Sequence, residues 1–352
     1  MQFFKDTILE LSAVQELQKY LNRGVSPISF SGVSHIHKAQ LLAALTCDTP
    51  GLVVTEDDAS ARRLCDDINL MLGENRALPF PSKEMALTPV EGLSRSYEHM
   101  RLAALSAVQT GQCALLIASG EALLQPTLPP ELLEQCTITL QVGEDYDIGT
   151  LAKQLTGCGY VRCEKVEGPS QFSVRGALLD VFPVQAAMPL RLEFWGDTLD
   201  SIAPFEVASQ RRVDQQEQVT IPPAQETLVP QPELLAEKIE ALAKSLRGKR
   251  APELRIWLNR DAERLRGGEM LTDIDKYLPL LYPRTVTLLD YIPGTVWLSE
   301  HMAVQERMRG AQTQYMEDHR MLLEAGTLCK GLEGYLMEVP RMQAVSYTHL
   351  TL

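Results

Sequence analysis

Gly51-Leu52-Val53-Val54-Thr55 is a compact apolar run, and it decides the fold class. Its lack of alternation fits a strand covered on both faces, as in a parallel sheet. Residues Asp57 to Leu72 follow with helical character, with Asp57 or Asp58 placed to cap the helix and Gly73 to end it. Downstream, Ala77-Leu78-Pro79-Phe80-Pro81 forms a short strand with a proline stop. Tyr97 to Thr110 forms a helix closed by Gly111, and Cys113 to Ala118 a third buried strand. Upstream, Ile28-Ser29-Phe30 is strand-like and ends at Ser31-Gly32. Lys38 to Leu45 then has Leu41, Leu42 and Leu45 on one helical face. This alternation of strand and helix predicts an α/β fold with a parallel sheet.

From about Cys136 the character changes. Thr137 to Leu140 predicts a strand and Asp147 to Thr156 a helix ending at Gly157. Hairpins follow. Phe172-Ser173-Val174 leads through Arg175-Gly176 into a strand over Ala177 to Phe182. Leu190 to Trp195 turns at Gly196-Asp197 into a partner strand over Thr198 to Ile202. After the proline-rich stretch Ile221-Pro222-Pro223 the α/β pattern returns. Glu233 to Leu246 predicts a helix, Val286 to Ile292 and Thr295 to Leu298 predict strands, and Ala303 to Ala325 predicts a helix. The organisation expected is therefore one sheet domain, residues 1–136 and 223–344, split by an inserted small α+β domain at 137–222. The last eight residues, Val345 to Leu352, match the translated read-through of a sequencing adapter. They are expected to be a non-native tail, with the natural sequence continuing past Ala344.

A length of 352 residues fits two or three such units. With 45% hydrophobic and 22% charged residues, packed domains are expected rather than disorder. No segment approaches the run of about 20 apolar residues that would span a membrane, and Met1-Gln2-Phe3-Phe4-Lys5-Asp6 is no secretory signal. Seven scattered cysteines without a Cys-x-x-Cys pair point to reduced thiols in a cytoplasmic protein, with no metal site. A net charge of -13 opposes naked DNA as the primary partner.

Two motifs carry chemistry. Ser31-Gly32-Val33-Ser34-His35-Ile36-His37-Lys38-Ala39 has the spacing of a phosphate loop at Gly32 and Lys38. His37 stands where the second glycine would let backbone amides wrap the phosphates. Ala39 stands where a hydroxyl would ligate magnesium. The acidic pair expected after a buried strand is reduced to Ser299-Glu300, following Thr295-Val296-Trp297-Leu298. These losses in cooperating elements predict a retired nucleotide site, with no catalytic residues and no cofactor. A working ATPase or helicase-type DNA-binding module is the alternative.

The second motif is Leu190-Arg191-Leu192-Glu193-Phe194-Trp195. Strand alternation places Leu190, Leu192 and Phe194 on a core face and Arg191, Glu193 and Trp195 on the other. Arg175 is expected on that same outer face. Trp and Arg are the residues most enriched at binding hot spots. The competing expectation is Trp195 packed on a neighbouring helix and Arg191 paired with Glu193.

The stretch Gln171-Phe172-Ser173-Val174-Arg175-Gly176-Ala177-Leu178-Leu179-Asp180-Val181-Phe182-Pro183 resembles the Mfd family of transcription-repair coupling factors, as do Arg191 to Asp197 and Phe205 to Arg211. The same stretch is similar to UvrB. The similarity extends more loosely over residues 1–344, including Tyr277 to Tyr282 and Leu288 to Pro293. The resemblance implies an N-terminal UvrB-like module, in which a degenerate RecA-like domain is split by an inserted domain that recruits UvrA in nucleotide excision repair. The family's UvrA-contacting positions fall on Arg175, Arg191 and Trp195, where the family often has Phe at the last. It also implies that the whole protein is an ATP-driven translocase. Its contacts with RNA polymerase and DNA would lie outside this chain.

Overall fold

Two of the strands recognised as apolar runs form the centre of a buried parallel sheet. The structure, a computed structural model, describes residues 2–46, 49–89, 94–333, 336 and 350–351. The first unit comprises Met1–Ser94, Ala107–Thr127 and Gln231–Leu352, and the second Arg95–Ser106 and Leu128–Pro230.

In the first unit, β1 (Gly51–Thr55), β2 (Ala77–Phe80), β3 (Leu115–Ser119), β11 (Val296–Leu298) and β12 (Leu350–Thr351) line up in the order β12-β11-β1-β3-β2. Every pairing is parallel. β1 and β3 are buried along their whole length. Val53, Leu115, Ile117 and Trp297 meet Leu41 and Leu42 of α3 (His35–Leu45) and Leu64 and Ile68 of α4 (Asp58–Leu72) in one core. Asp57, rather than Asp58, caps α4, accepting the Ser60 N–H at 2.7 Å. Asp58 instead accepts from Ser82, N–H at 3.0 Å and hydroxyl at 2.6 Å. The helix α12 (His301–Ala325) follows β11, with Val304 and Met308 buried.

Helices without a counterpart in the sequence-based expectation are α1 (Gln2–Leu9), α2 (Ser12–Asn22), the short α6 (Gly120–Leu124), α7 (Pro130–Cys136) and α11 (Leu278–Leu281), and α10 (Ala251–Arg266), which follows α9 (Pro232–Ser245). The signal for α10 is present in hindsight: Leu258, Ala262 and Leu265 are buried at helical spacing and Pro252 stands in the first turn. Two expected strands are not formed. Ile28-Ser29-Phe30 shows only an isolated bridge at Ser29. Ile28 and Phe30 are partly buried against the sheet core, so their apolar spacing reflects packing and not ladder pairing. Within Val286 to Ile292 the chain makes the 3₁₀ turn Leu288–Asp290. The Thr287 N–H donates to Asp290 Oδ2 at 2.8 Å and the Asp290 N–H to the Thr287 carbonyl at 3.0 Å, which favours a turn over an extended run. The tail from Val345 lies outside the described residues, apart from the backbone of Leu350–Thr351.

The second unit takes in residues 96–106 of α5 (Ser96–Gln109), then α7 (Pro130–Cys136), β4 (Ile138–Gln141), α8 (Ile148–Gly157), β5 (Val161–Arg162), β6 (Gln171–Arg175), β7 (Leu178–Val181), β8 (Leu190–Trp195), β9 (Thr198–Pro204) and β10 (Gln218–Ile221). Strands β5 to β9 form a five-stranded sheet in sequence order, and β4 pairs with β10 in a separate two-stranded ladder. The β6-β7-β8-β9 meander is antiparallel throughout. Its inner face packs Phe172, Leu179, Leu192 and Ile202 against Leu151 and Leu155 of α8. The β8–β9 turn is two residues long. Gly196 supplies its positive φ of 64°, a backbone angle that primed hairpin turns require. Arg101, fully buried, pairs with Glu226 at 2.9 Å inside this unit.

Candidate functional site

The outer face of β8 is built by register. On the inner face Leu190, Leu192 and Phe194 are buried, as strand alternation requires. Opposite pairing puts Ser173, Asp180 and Arg191 in one row across β6, β7 and β8, and Arg175, Leu178 and Glu193 in the next. Arg175 and Arg191 therefore share a face and converge on one carboxylate. Arg191 Nε donates to Asp180 Oδ1 at 2.7 Å and Nη2 to Oδ2 at 2.8 Å. Arg175 Nη2 donates to Asp180 Oδ2 at 2.6 Å.

Arg191 is held from every side. Its Nη2 also donates to Gln210 Oε1 at 2.9 Å, and its guanidinium carbon lies 4.5 Å from the Phe205 ring centre, a cation–π distance. Asp180, through its hydrogen bonds, holds the Arg191 guanidinium protonated above its usual range. The side chains are exposed to very different degrees: 12% for Arg191 and 47% for Arg175. Trp195, at the end of the strand, is 85% exposed. Neither competing expectation for this strand is met. Glu193 takes Arg212 and the Ser201 hydroxyl rather than Arg191, and the Trp195 indole faces solvent.

Asp180 was not singled out from the sequence, although an acid inside the apolar strand Leu178-Leu179-Asp180-Val181 is a signal in itself. Its partner is set by strand register, which needs the sheet. A buried carboxylate demands strong donors, and two guanidiniums supply them.

The segment with phosphate-loop spacing meets Ser299 and Glu300, distant in sequence, within the first unit. Gly32 is exposed at a φ of 81°. The Lys38 ammonium, on the first turns of α3, is buried. It forms an ion pair with Glu300 and approaches Ser299 Oγ at 3.3 Å. That pair holds the Glu300 carboxyl below the usual range. His37 Nδ1 engages Ser34 Oγ at 2.8 Å, and Ala39 is fully buried in the core. The charge that a working loop presents to phosphate is thus already met by a carboxylate of the same chain. A cleft of about 1070 Å³ opens beyond β1 and β3 in this unit; its lining includes Asp57, Asp58, Glu84 and Glu121, with Lys83 and Arg307 as cations. Among the described residues no group of three or more His, Cys, Asp or Glu side chains is placed to hold a metal ion. No described helix is long and apolar enough to cross a membrane.

Comparison with known proteins bears on this geometry. Residues 138–226 match the UvrB interaction domain, a segment that contains the whole β5–β9 sheet and the Asp180 cluster. The chain is 28% identical to the transcription-repair-coupling factor of Bacillus subtilis (strain 168), over 88% of this chain and 27% of that protein. Against the Myxococcus xanthus transcription-repair-coupling factor the identity is 35%, over 56% of this chain and 16% of that protein. UvrABC system protein B of Thermotoga neapolitana is 26% identical, over 85% of this chain and 45% of that protein. The chain therefore spans about a quarter or less of the coupling factors and under half of the UvrABC protein. Over most of its length it is similar to the N-terminal part of coupling factors and to UvrABC system protein B, and the similarity includes a match to the UvrB interaction domain.

Proposed function

We propose that this chain is the N-terminal module of a bacterial transcription-repair coupling factor, and that it recruits UvrA in nucleotide excision repair through Arg175, Arg191 and Trp195. One observation carries the assignment: within the matched domain, a tryptophan 85% exposed extends a strand face whose two arginines are already oriented by a buried carboxylate. An indole left in water has no role in the core, whereas a partner that covers it gains its full apolar area. The arginines need no ordering on binding, because Asp180 has oriented them in advance, and this lowers the entropic cost of association.

In this proposal residues 1–136 and 223–344, which include the parallel sheet, derive from a degenerate RecA-like domain split by the interaction domain at 137–222. The module has no ATPase activity of its own. The support is the Lys38–Glu300 pair and the alanine at position 39. RNA polymerase and DNA are engaged by other regions of the full-length cytoplasmic protein.

The test is capture of purified UvrA by the wild-type chain and by Trp195→Ala. Retention of UvrA by wild type and its loss with the variant is the expected outcome. Equal capture by both overturns the assignment.

A further inference from the structure

The turn that follows β9 reaches back to the outer face of β8. Two backbone bonds close it: the Gln210 N–H donates to the Glu206 carbonyl at 2.8 Å, and the Glu206 N–H to the Arg211 carbonyl at 2.9 Å. At its base Phe205 bridges to Arg212. Gln210 is half-buried and stands at a φ of 58°, in the left-handed region. A Cβ disfavours that backbone; glycine escapes the penalty and asparagine tolerates it better than most residues. Glutamine has neither advantage. What it adds is length. Its Oε1 accepts from Arg191 Nη2 at 2.9 Å, while its Nε2 donates to the Val207 carbonyl of its own turn at 2.8 Å.

Residues in disfavoured backbone conformations persist where their surroundings hold them, and they cluster at ligand clamps. Here the clamped group is a guanidinium. Asp180 takes one edge of Arg191 through Nε and Nη2, and the buried Phe205 lies against its face. A carboxylate fork by itself lets the guanidinium hinge about the line through its two oxygens. The second hydrogen of Nη2 points away from that fork, so an acceptor placed there removes the hinge. Gln210 is that acceptor. Three of the five N–H groups of Arg191 are then engaged, and the two on Nη1 have no partner among the described residues.

We propose that Gln210 is a positioning residue for UvrA recognition: it fixes the tilt of the Arg191 guanidinium so that the Nη1 edge is presented to the partner. The inference rests on the UvrA reading above. Gln210 acts through Arg191 and need not touch UvrA itself. Its two side-chain bonds separate the possible roles. The bond to Arg191 uses the acceptor oxygen, whereas the bond to Val207 uses the amide N–H and serves only the turn.

The test is calorimetric titration of purified UvrA with the full chain, beside thermal denaturation of each variant. Gln210→Asn suits the left-handed backbone but falls one methylene short of Arg191. It is expected to weaken UvrA binding at least about fivefold with a midpoint within about 2 °C of wild type. Gln210→Glu keeps the reach and the acceptor oxygen but cannot donate to Val207, and it is expected to bind within about twofold of wild type. If Gln210→Glu weakens binding as much as Gln210→Asn, the effect belongs to the turn and the positioning role is overturned. A larger fall in the Gln210→Asn midpoint overturns it too. Wild-type affinity in Gln210→Asn, with binding weakened in Trp195→Ala, overturns this inference alone. A wild-type chain that does not bind UvrA overturns both.

Discussion

At the scale of single residues the hairpin face divides into two kinds of side chain. Trp195 touches little of its own chain, so Trp195→Ala should leave the unfolding midpoint unchanged. If the indole is a hot spot, the same change should weaken UvrA binding by about 2 kcal/mol, roughly thirtyfold in Kd. Calorimetric titration against UvrA alongside thermal denaturation separates the two effects; a lowered midpoint would show the indole to be structural. Arg191 is different, because it is both a candidate contact and the main partner of buried Asp180. Arg191→Ala strips a buried carboxylate of two of its three guanidinium bonds, leaving Arg175 alone. A loss of about 1–3 kcal/mol in folding stability is expected by urea denaturation. Arg191→Lys should recover little of it, since a single ammonium cannot reproduce the fork. Full stability in Arg191→Ala would show that Asp180 does not depend on this partner.

At the scale of elements, local chemistry explains which segments were legible. The helix α4 was readable from its cap, its apolar spacing and Gly73, and each is where the sequence put it. Its cap also has a pH signature. The Ser60 backbone N–H, hydrogen-bonded to the carboxylate, holds Asp57 below the ordinary range. A group with a depressed folded pKa stabilises fully above its unfolded value, about 3.9 for Asp, and loses that contribution as pH falls through the folded one. Asp57→Ala should therefore cost about 1 kcal/mol at pH 7, with the gap from wild type narrowing well below pH ~4. Asp57→Asn should retain most of the cap without that acid dependence. Urea titrations at both pH values check this, and a gap constant with pH refutes it. Segments that misled were those where one apolar pattern serves two structures. Val286 to Ile292 has the composition of a strand, but the Thr287 N–H bond to the Asp290 carboxylate closes a turn there. Helix α10 was passed over because its buried residues are sparse among charges.

At the scale of the molecule, an enzymatic and a recruiting role differ in what they require of the first unit. With Lys38 engaged by Glu300 and no hydroxyl at position 39, the chain should show no magnesium-dependent ATP hydrolysis. Because the Glu300 side chain is 67% exposed, its pair with Lys38 is a weak stabiliser. Glu300→Gln should shift stability by less than about 1 kcal/mol. Phosphate release from ATP and magnesium above the blank would restore the enzymatic alternative. What the sequence determined by itself follows from periodicity and side-chain chemistry: the α/β class, the hairpins, the opposed faces of β8 and the absence of a glycine at position 37 and of a hydroxyl at position 39. These are set by neighbours a few positions apart along the chain. Only the tertiary structure decided that Asp180 collects both arginines, that Lys38 meets Glu300 across 262 positions, and that Trp195 stays in water while Arg191 does not. Each of those depends on strand register and on which segments are brought together, and neither is encoded in the spacing of adjacent residues.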